Sequence, residues 1–394
     1  MKISQIYSLL NDINQQMWGE DAIKVNDLSG IISMGNKILD SSQDTDKFFG
    51  ALVDRIGKTI VRNLDLEVEF PALLMNEFQF GSAIQKITID PFGALETSEW
   101  TVGDNNFTPT MLDVYKAGIS VKIFQGATTW KFRTTIPSNT MLATAFTNAS
   151  TMGDFISAIY SAMSDSMTMS INNMSRTAIV NFIAEKIKNN NGVVNVLKEY
   201  NALYVGEEIY DLNEAIHTER FLRFSANVIR NYLKYLGVPN QNYNVDGKVR
   251  VTTRDNMHAI FNSAYMSAMD SIMLSQTWHK ELASIGTGYV ETPYWQANKD
   301  AGGINDIDTL TAIKVTPSSE EGALAPTDVE QDGVLGVLAD RQAIFIGLNK
   351  RHNGAFYNSI DDYTNISASA TIQWCNDLSE NGIVFIAQDT NPNP

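Results

Sequence analysis

The stretch that decides the fold runs from Thr151 to Lys188 and reads TMGDFISAIYSAMSDSMTMSINNMSRTAIVNFIAEKIK. It contains no proline, and its one glycine, Gly153, stands near the start. Apolar side chains recur at steps of mostly three or four residues, at Phe155, Ile159, Tyr160, Met163, Met167, Ile171, Met174, Ala178, Phe182 and Ile183. Because this is the period of one helix face, the stretch predicts a single helix roughly 55 Å long.

Both ends of this predicted helix carry boundary signals. Ser150 or Thr151 can cap its first turn, and Lys186 and Lys188 suit the negative end of the helix dipole. Three asparagines and a glycine at 189–192 stop it. The pattern leaves two alternatives open, a long core helix and a coiled-coil arm. The coiled coil is the weaker one, because the apolar repeat is not a sustained heptad.

The composition excludes several classes of protein. A net charge of −16 argues against tight nucleic-acid binding, which needs lysine and arginine to displace counterions. The single cysteine, Cys375, excludes an intrachain disulfide and a cysteine-rich metal site, and such usage suits a reducing cytoplasm. Neither a signal peptide nor an apolar run of about 18 residues is present, so we expect neither signal-directed secretion nor a membrane span.

The N-terminal part predicts an arm followed by a helix. Residues 1–44 are polar, apart from short amphipathic pieces around Ile6–Ile13 and Ile31–Ile38. This is too little apolar surface for a separate domain, so we expect an arm that lies on another part of the protein. Residues 45–63 predict an amphipathic helix, whose apolar face contains Phe48, Phe49, Leu52, Val53, Ile56 and Ile60.

Residues 64–136 change to the period of two that is typical of strands. One strand is predicted up to Ile89, before the turn signal at 90–93, and a second from about Val114 to Arg133. Together they predict a long hairpin with a wide, acidic tip. Because an isolated hairpin is marginal in water, something must cover it. The lack of other predicted strands nearby favours a partner chain, and the alternative is a sheet within the same chain.

The remainder predicts a mixed lobe and closing strands. Glu219–Leu236 is a clear amphipathic helix, Lys248–Thr253 a short strand, and Met257–Met273 a methionine-rich helix that Asp255 can cap. Shorter strand signals follow at Gly288–Trp295 and Leu310–Val315. The C-terminal part is strand-rich, with two buried strands in Val334–Leu348 around a turn at 339–341, then Ile366–Trp374 and Gly382–Gln388.

No pattern of residues converges on an enzyme site. The sequence lacks a phosphate loop, a complete dinucleotide-binding fingerprint and a nucleophile elbow. The four histidines have no metal-ligand spacing and are interpreted as surface or hydrogen-bonded polar groups: His217, His258, His279 and His352. Cys375 follows Trp374 in a strand-like stretch and is interpreted as a small buried hydrophobic residue.

The order of these parts resembles a known family. A polar arm, a short helix, a long hairpin, a spine helix, a mixed lobe and closing strands are the layout of the tailed-phage major capsid protein, the Hong Kong 97 fold. Phe49–Arg62, FGALVDRIGKTIVR, looks like the phi-29-like capsid proteins, whose matching segment also carries an LVDRIG core. The end of the chain, VLGVLADRQAIFIGLN and then TIQWCNDLSENGIVFIAQD, is similar to their closing block. The resemblance covers about Asp46–Gln388 and implies the small podovirus type.

This resemblance implies an α+β, HK97-like fold with named parts. The segments expected from it are an N-arm (1–44), a short P-domain helix (45–63), an extended E-loop hairpin (64–136), a P-domain with a long spine helix (137–190), an α/β A-domain (191–340), and closing P-domain strands with a C-terminal tail (341–394). Inter-subunit contacts are expected along the E-loop, at Glu96, Glu99, Trp100, Lys116, Lys122, Trp130, Lys131 and Arg133.

The resemblance also implies a structural function. The expected protein self-assembles into pentamers and hexamers of an icosahedral head in the bacterial host cytoplasm, and it remains in the virion. It encloses double-stranded DNA without sequence-specific binding and has no membrane contact, catalytic residue, cofactor or metal. A portal and a separate scaffolding protein are expected, since the polar arm is too short to serve as a scaffold. Two alternatives remain, an encapsulin-like nanocompartment shell and an uncharacterised cytoplasmic α/β enzyme.

Overall fold

The predicted spine is one continuous helix, Ala149–Lys188, which has 40 residues and is about 60 Å long. This computed structural model describes residues 3–41, 43–52, 68–78, 83–89, 118–125, 128–137, 145–147, 149–276, 288–296, 307–320, 326–358 and 363–389. The chain forms two compact units. Unit 1 comprises Met1–Phe80, Ala127–Ser175 and Ile346–Trp374, and unit 2 comprises Gly81–Gly126, Arg176–Phe345 and Cys375–Pro394.

Helices and strands are mixed along the chain, as expected for an α+β fold. The helices within the described ranges are α1 (Ile3–Trp18), α2 (Leu28–Leu39), α3 (43–52), α4 (Ala149–Lys188), α5 (Val196–Leu203), α6 (Leu212–His217), α7 (Glu219–Leu236), α8 (Ser263–Gln276) and α9 (Ile307–Thr311). The strands there are β1 (Leu74–Phe78), β2 (Ala83–Ile89), β3 (Ile119–Gln125), β4 (Thr128–Pro137), β5 (Val193–Asn195), β6 (Met257–Asn262), β7 (Val290–Thr292), β8 (Ile313–Val315), β9 (Val329–Gln331), β10 (Val334–Asp340), β11 (Ile344–Asn358), β12 (Tyr363–Asn376) and β13 (Gly382–Ile386).

Unit 1 contains the N-terminal helices and a sheet of order β1-β11-β12-β4. The polar N-terminal segment folds as α1 and α2, whose apolar faces are buried in the same core as the first half of α4. This core includes Ile6, Leu10, Ile13, Ile31, Met34, Ile38, Phe48, Phe49, Phe155 and Ile159. Helical spacing places the buried apolar residues of the arm together on one side, whereas Leu28 and Ile32 of α2 stay exposed.

Unit 2 contains a sheet of order β5-β13-β10-β6-β7 and a helical layer built from α5 to α8. Strands β10 and β13 are buried at every position, which is why both read as nearly continuous apolar runs. Strand β10 pairs antiparallel with β13 on one side and with β6 on the other. The predicted closing strands are confirmed here, with the turn between β10 and β11 at 341–343.

The signals predicted to end the spine helix are confirmed by the backbone. Asn190 and Gly192 both lie in the left-handed region, with φ of 45° and 67°. A Cβ atom on Gly192 would stand 2.3 Å from the carbonyl oxygen of Gly382, so that the position requires glycine. The chain then enters β5, which pairs parallel with β13.

The prediction of one long hairpin is wrong, because its strands belong to more than one sheet. Its second strand is two strands, β3 and β4, and these belong to different sheets. Strand β4 pairs with β12 over ten residues, from Thr128↔Ile372 to Pro137↔Tyr363, whereas β3 pairs with β2. The alternative of a sheet within the same chain is therefore correct for β4. A period of two gives the face of each residue, but it does not record which strand lies alongside.

Two predictions in the mixed lobe are also wrong. The expected helix Met257–Met273 begins as strand β6 and becomes helical at Ser263. Six consecutive buried residues of β6 fill the position between β10 and β7, and this tertiary pairing outweighs the helical preference of the methionines. Lys248–Thr253 is not a strand, although Arg250 forms an isolated bridge with Asn240.

Candidate assembly surface

Strands β2 and β3 form a two-stranded antiparallel ribbon in unit 2, in continuous register from Ala83↔Gln125 to Ile89↔Ile119. Successive side chains of a strand point to opposite faces. The outer face of the ribbon carries Ile87, Ile89, Ile119, Val121 and Ile123, which are between 51% and 64% exposed. The inner face carries the half-buried residues Lys86, Thr88, Ser120, Lys122 and Phe124. The ribbon therefore turns its polar face inward and its apolar face outward.

The inner face is held by ion pairs to other parts of unit 2. The Nζ of Lys86 lies 2.7 Å from Asp377 Oδ2 and 2.8 Å from Glu380 Oε1. The Nζ of Lys122 lies 2.8 Å from Asp246 Oδ2 and 3.2 Å from Asp377 Oδ1. These contacts fix the ribbon to the turn between β12 and β13 and to the loop after α7.

Further contacts support this attachment. The Nζ of Lys248 donates to Ser120 Oγ at 2.9 Å. The rings of Phe124 and Phe345 pack edge to face, with centroids 5.9 Å apart. Such a ring pair stabilises by roughly 1 kcal/mol beyond the area that it buries. The ribbon is therefore anchored by both polar and apolar contacts on its inner face.

Asp377 is the centre of the polar contacts, and its side chain is 1% exposed. Burial by itself would raise the pKa of Asp377, but hydrogen bonds from Lys86 and Ser379 and the charges of Lys86 and Lys122 together hold the pKa below its ordinary value. Burial likewise opposes the charge of Lys122, yet Asp246 and Asp377 outweigh it and raise the pKa of Lys122. These groups therefore carry opposite charges at neutral pH.

The sequence-predicted contact residues fall into three groups. Glu96, Glu99, Trp100 and Lys116 lie outside the described residues. The residues Trp130, Lys131 and Arg133 belong to β4, where their Cα partners on β12 are Ala370, Ser369 and Ser367. Lys122 lies on the ribbon and pairs with carboxylates of its own chain.

Sequence reasoning missed Lys86 and its partners. The alternation in IQKITI was a signal that Lys86 lies opposite the isoleucine face. No local signal pointed to Asp377, which is 291 positions away along the chain. A long-range ion pair of this kind is visible only when the two segments are seen together.

Metal-ligating groups and reactive thiols are sparse among the described residues. No group of three or more potential metal-ligating side chains occurs among them, and no helix there is long and apolar enough to cross a membrane. Cys375 is buried, as predicted, and burial raises the pKa of its thiol to about 12, so that it is not a thiolate nucleophile. Burial and the nearby Arg341 charge lower the pKa of His258 to about 4, and its imidazole is neutral at pH 7.

An open pocket of about 810 Å³ lies elsewhere in unit 2. Its charged lining consists of Lys314 and five carboxylates: Asp211, Asp308, Glu330, Asp332 and Asp389. Lys314 is already paired with Glu330. The residues that line this pocket include no histidine, cysteine or serine.

Comparisons with known proteins agree with the fold. The chain is similar to a chain in the capsid structure of Staphylococcus phage Andhra, with 11% identity, a TM-score of 0.53, and coverage of 81% of this chain and 83% of that one. It is also similar to a chain in the structure of the head fiber and inner core protein gp22 of bacteriophage P68, with 11% identity, a TM-score of 0.52, and coverage of 82% and 85%. At this identity the likeness shows the fold. No curated protein matches the sequence.

The sequence itself matches a family model. The family is described as Phi29-like phage major capsid protein, and the match runs from residue 8 to residue 386. Of the functions that the sequence left open, this match supports the phage capsid over the nanocompartment shell and the cytoplasmic enzyme. The protein therefore belongs to the Phi29-like phage major capsid protein family and is a structural subunit of an icosahedral capsid in the virion.

Proposed function

We propose that the outer face of the ribbon is a contact by which one copy of this chain binds the next in the shell. The observation that carries the proposal is the inverted amphipathicity of β2 and β3. Five β-branched side chains are more than half exposed, while the lysines beside them are turned inward. A contiguous exposed apolar face of this kind is typical of an interaction site.

A second copy of the chain is the partner that fits this face. A capsid is built from many copies of one subunit. During assembly, other copies of this chain are therefore the most concentrated protein surface around each ribbon. Burying one of these half-exposed side chains contributes on the order of 1 kcal/mol. Each contact is weak, but a closed shell repeats it in every subunit, and the effect on assembly is multiplied.

The proposal extends to the predicted segments and contact residues. The ribbon is part of the proposed E-loop, residues 64–136, beside the proposed N-arm, P-domain and A-domain. Glu96, Glu99, Trp100 and Lys116 lie between β2 and β3 in sequence and are proposed to reach the neighbouring subunit. Trp130, Lys131 and Arg133 on β4 are proposed as secondary contacts.

We further propose pentamers and hexamers as the assembly units and double-stranded DNA as the enclosed molecule. The net charge of −16 supports a shell that holds DNA without gripping it, since neutralising phosphates requires an excess of lysine and arginine. A portal and a separate scaffolding protein are the other proposed partners. Assembly is proposed to take place in the bacterial host cytoplasm.

The contact is tested by placing a charge on the outer face. Val121 is 51% exposed at the centre of β3, so Val121→Asp should leave the subunit folded. A carboxylate cannot be buried there without a partner, and assembly should fall at least tenfold. The matched control is Val121→Ile, which keeps the face apolar and should form shells. Sedimentation and electron microscopy of the expressed protein give the measurement, and shells of Val121→Asp at the wild-type yield would rule out the proposed contact.

A further inference from the structure

The ribbon contains a like-charge pair that is unfavourable by itself. Lys86 and Lys122 are direct Cα partners across β2 and β3, and both side chains lie on the inner face. Like charges directly opposite each other destabilise an antiparallel pair. Asp377 compensates for this, since each of its two oxygens accepts from one of the two lysines, at 2.7 Å and 3.2 Å.

Contacts within its own turn also hold the carboxylate of Asp377 in place. Asp377 Oδ1 accepts from the backbone N of Ser379 at 3.0 Å and from its Oγ at 2.6 Å. The backbone N of Asp377 donates to the carbonyl oxygen of Ala343 at 2.8 Å, which ties this turn to the turn between β10 and β11. The carboxylate is therefore fixed on unit 2 independently of the ribbon.

Neighbouring charges complete a balanced cluster. Glu380 accepts from Lys86 and also lies 3.4 Å from the Nε of Arg250, and Asp246 accepts from Lys122. Three cationic and three anionic side chains thus meet at this place. Each strand of the ribbon provides one lysine to Asp377, and a shift of either strand would leave this buried carboxylate without one of its donors.

We propose that Asp377 is a latch that positions the ribbon, holding its lysine face against unit 2 and so presenting its isoleucine face for assembly. The inference rests on the proposed contact for its biological role, but the latch itself is a property of the single subunit. Asp377 is a positioning residue in this scheme, and it does not touch the neighbouring copy.

Titration supports a latch that stays closed at neutral pH. The hydrogen bonds and lysine charges described above lower the pKa of Asp377 despite its burial. A carboxylate with a lowered pKa contributes stability above its unfolded pKa and loses it as the pH falls through the folded pKa. The pKa of Lys122 is raised, so its charge persists above its ordinary range. Asp377 and Lys122 therefore remain oppositely charged through the neutral range.

The test uses hydrogen exchange of the unassembled full-length subunit. Asp377→Asn keeps the shape and the bonds from Ser379 but removes the charge between the two lysines. Backbone amides of β2 and β3 should exchange about tenfold faster or more, while those of β10 and β13 stay within about twofold of wild type. Adding Lys122→Met removes the like-charge pair and should restore part of the protection, which a merely structural role of Asp377 would not do.

Two further variants keep the test decisive. Lys86→Met removes two ion pairs and leaves the sequence of the Asp377 turn unchanged. It should also speed exchange in the ribbon, and it replaces Asp377→Asn in the test if that variant does not fold. Lys314→Met, which breaks an exposed pair with Glu330 in the same unit, should leave the ribbon unchanged. Ribbon exchange at the wild-type rate in Lys86→Met would overturn the latch, and so would the same result in a folded Asp377→Asn. Shells formed by Val121→Asp would instead overturn the proposed contact and leave the exchange result standing.

Discussion

Lys186 shows what a single residue contributes that its position in the sequence does not reveal. The side chain is fully buried near the end of α4. Its Nζ donates to Asn191 Oδ1 at 3.0 Å and to the carbonyl oxygen of Tyr243 at 2.7 Å. Burial lowers the pKa of Lys186 to about 7. The buried amine therefore titrates in the neutral range.

This lowered pKa predicts a pH dependence of stability. The ordinary pKa of 10.5 applies to the unfolded chain, so between pH 7 and pH 10.5 the unfolded state binds more protons than the folded state. Stability should therefore rise with pH across that window, by an amount on the order of a few kcal/mol, relative to a Lys186→Met variant. Thermal melting at several pH values measures the difference. The control is Lys188→Met, at an exposed neighbouring position, which should keep the wild-type slope of stability against pH. Parallel profiles of stability against pH for wild type and Lys186→Met would contradict the prediction.

The sequence predicted the place of Lys186 but not its partners. Its spacing near the C-terminal end of a helix suggested a favourable interaction with the helix dipole. The hydrogen-bond acceptor at Tyr243 is 57 positions away, and no local pattern connects the two. The need for glycine at Gly382 is equally invisible in the sequence. A Cβ atom there would stand 2.5 Å from the ring of Phe182. Contacts between distant segments are what single-sequence reasoning lacks.

At the scale of elements, α4 was predictable because its periodicity is long and uninterrupted. Most of the predicted face is buried, including Phe155, Ile159, Met163, Met167, Ile171, Ala178, Phe182 and Ile183. Strand β6 was not predictable, because six buried residues with methionine and alanine among them fit a helix as well as a strand. Only the neighbouring strands β10 and β7 decide between the two.

The buried face of α4 gives a prediction in each unit. Ile159 belongs to unit 1 and is 6% exposed, and Phe182 belongs to unit 2 and is 0% exposed. Replacing either by alanine removes packed atoms and leaves a cavity, so each variant should lose about 2–5 kcal/mol of unfolding free energy. Met169→Ala is the control on the same helix, since Met169 is 65% exposed and its replacement should cost little. Denaturant unfolding provides the values, and a wild-type midpoint for either buried-site variant would show that the face is misassigned.

At the scale of the whole molecule, the sequence predicted one long hairpin that needs a partner chain. In the structure, the predicted second strand is two strands with different partners. Strand β4 finds its partner in β12 of the same unit, and the inner face of the ribbon is satisfied by ion pairs within its own chain. The outer face of the ribbon remains exposed. The lysines attach the ribbon to its own subunit, and the exposed isoleucines form the face that we propose contacts a neighbouring copy.

The connection between β2 and β3 belongs to the same proposed contact, and its removal tests assembly at the scale of the shell. Ile89 and Ile119 are direct Cα partners at the end of the ribbon, so replacing Leu95 to Thr108 by a short glycine linker does not pull on the paired strands. Circular dichroism and the melting transition should stay close to wild type, because the core residues that the structure describes in both units lie outside this segment. Electron microscopy should show no shells. An unfolded product would mean that this connection belongs to the core of the subunit, and normal shells would mean that it has no part in assembly.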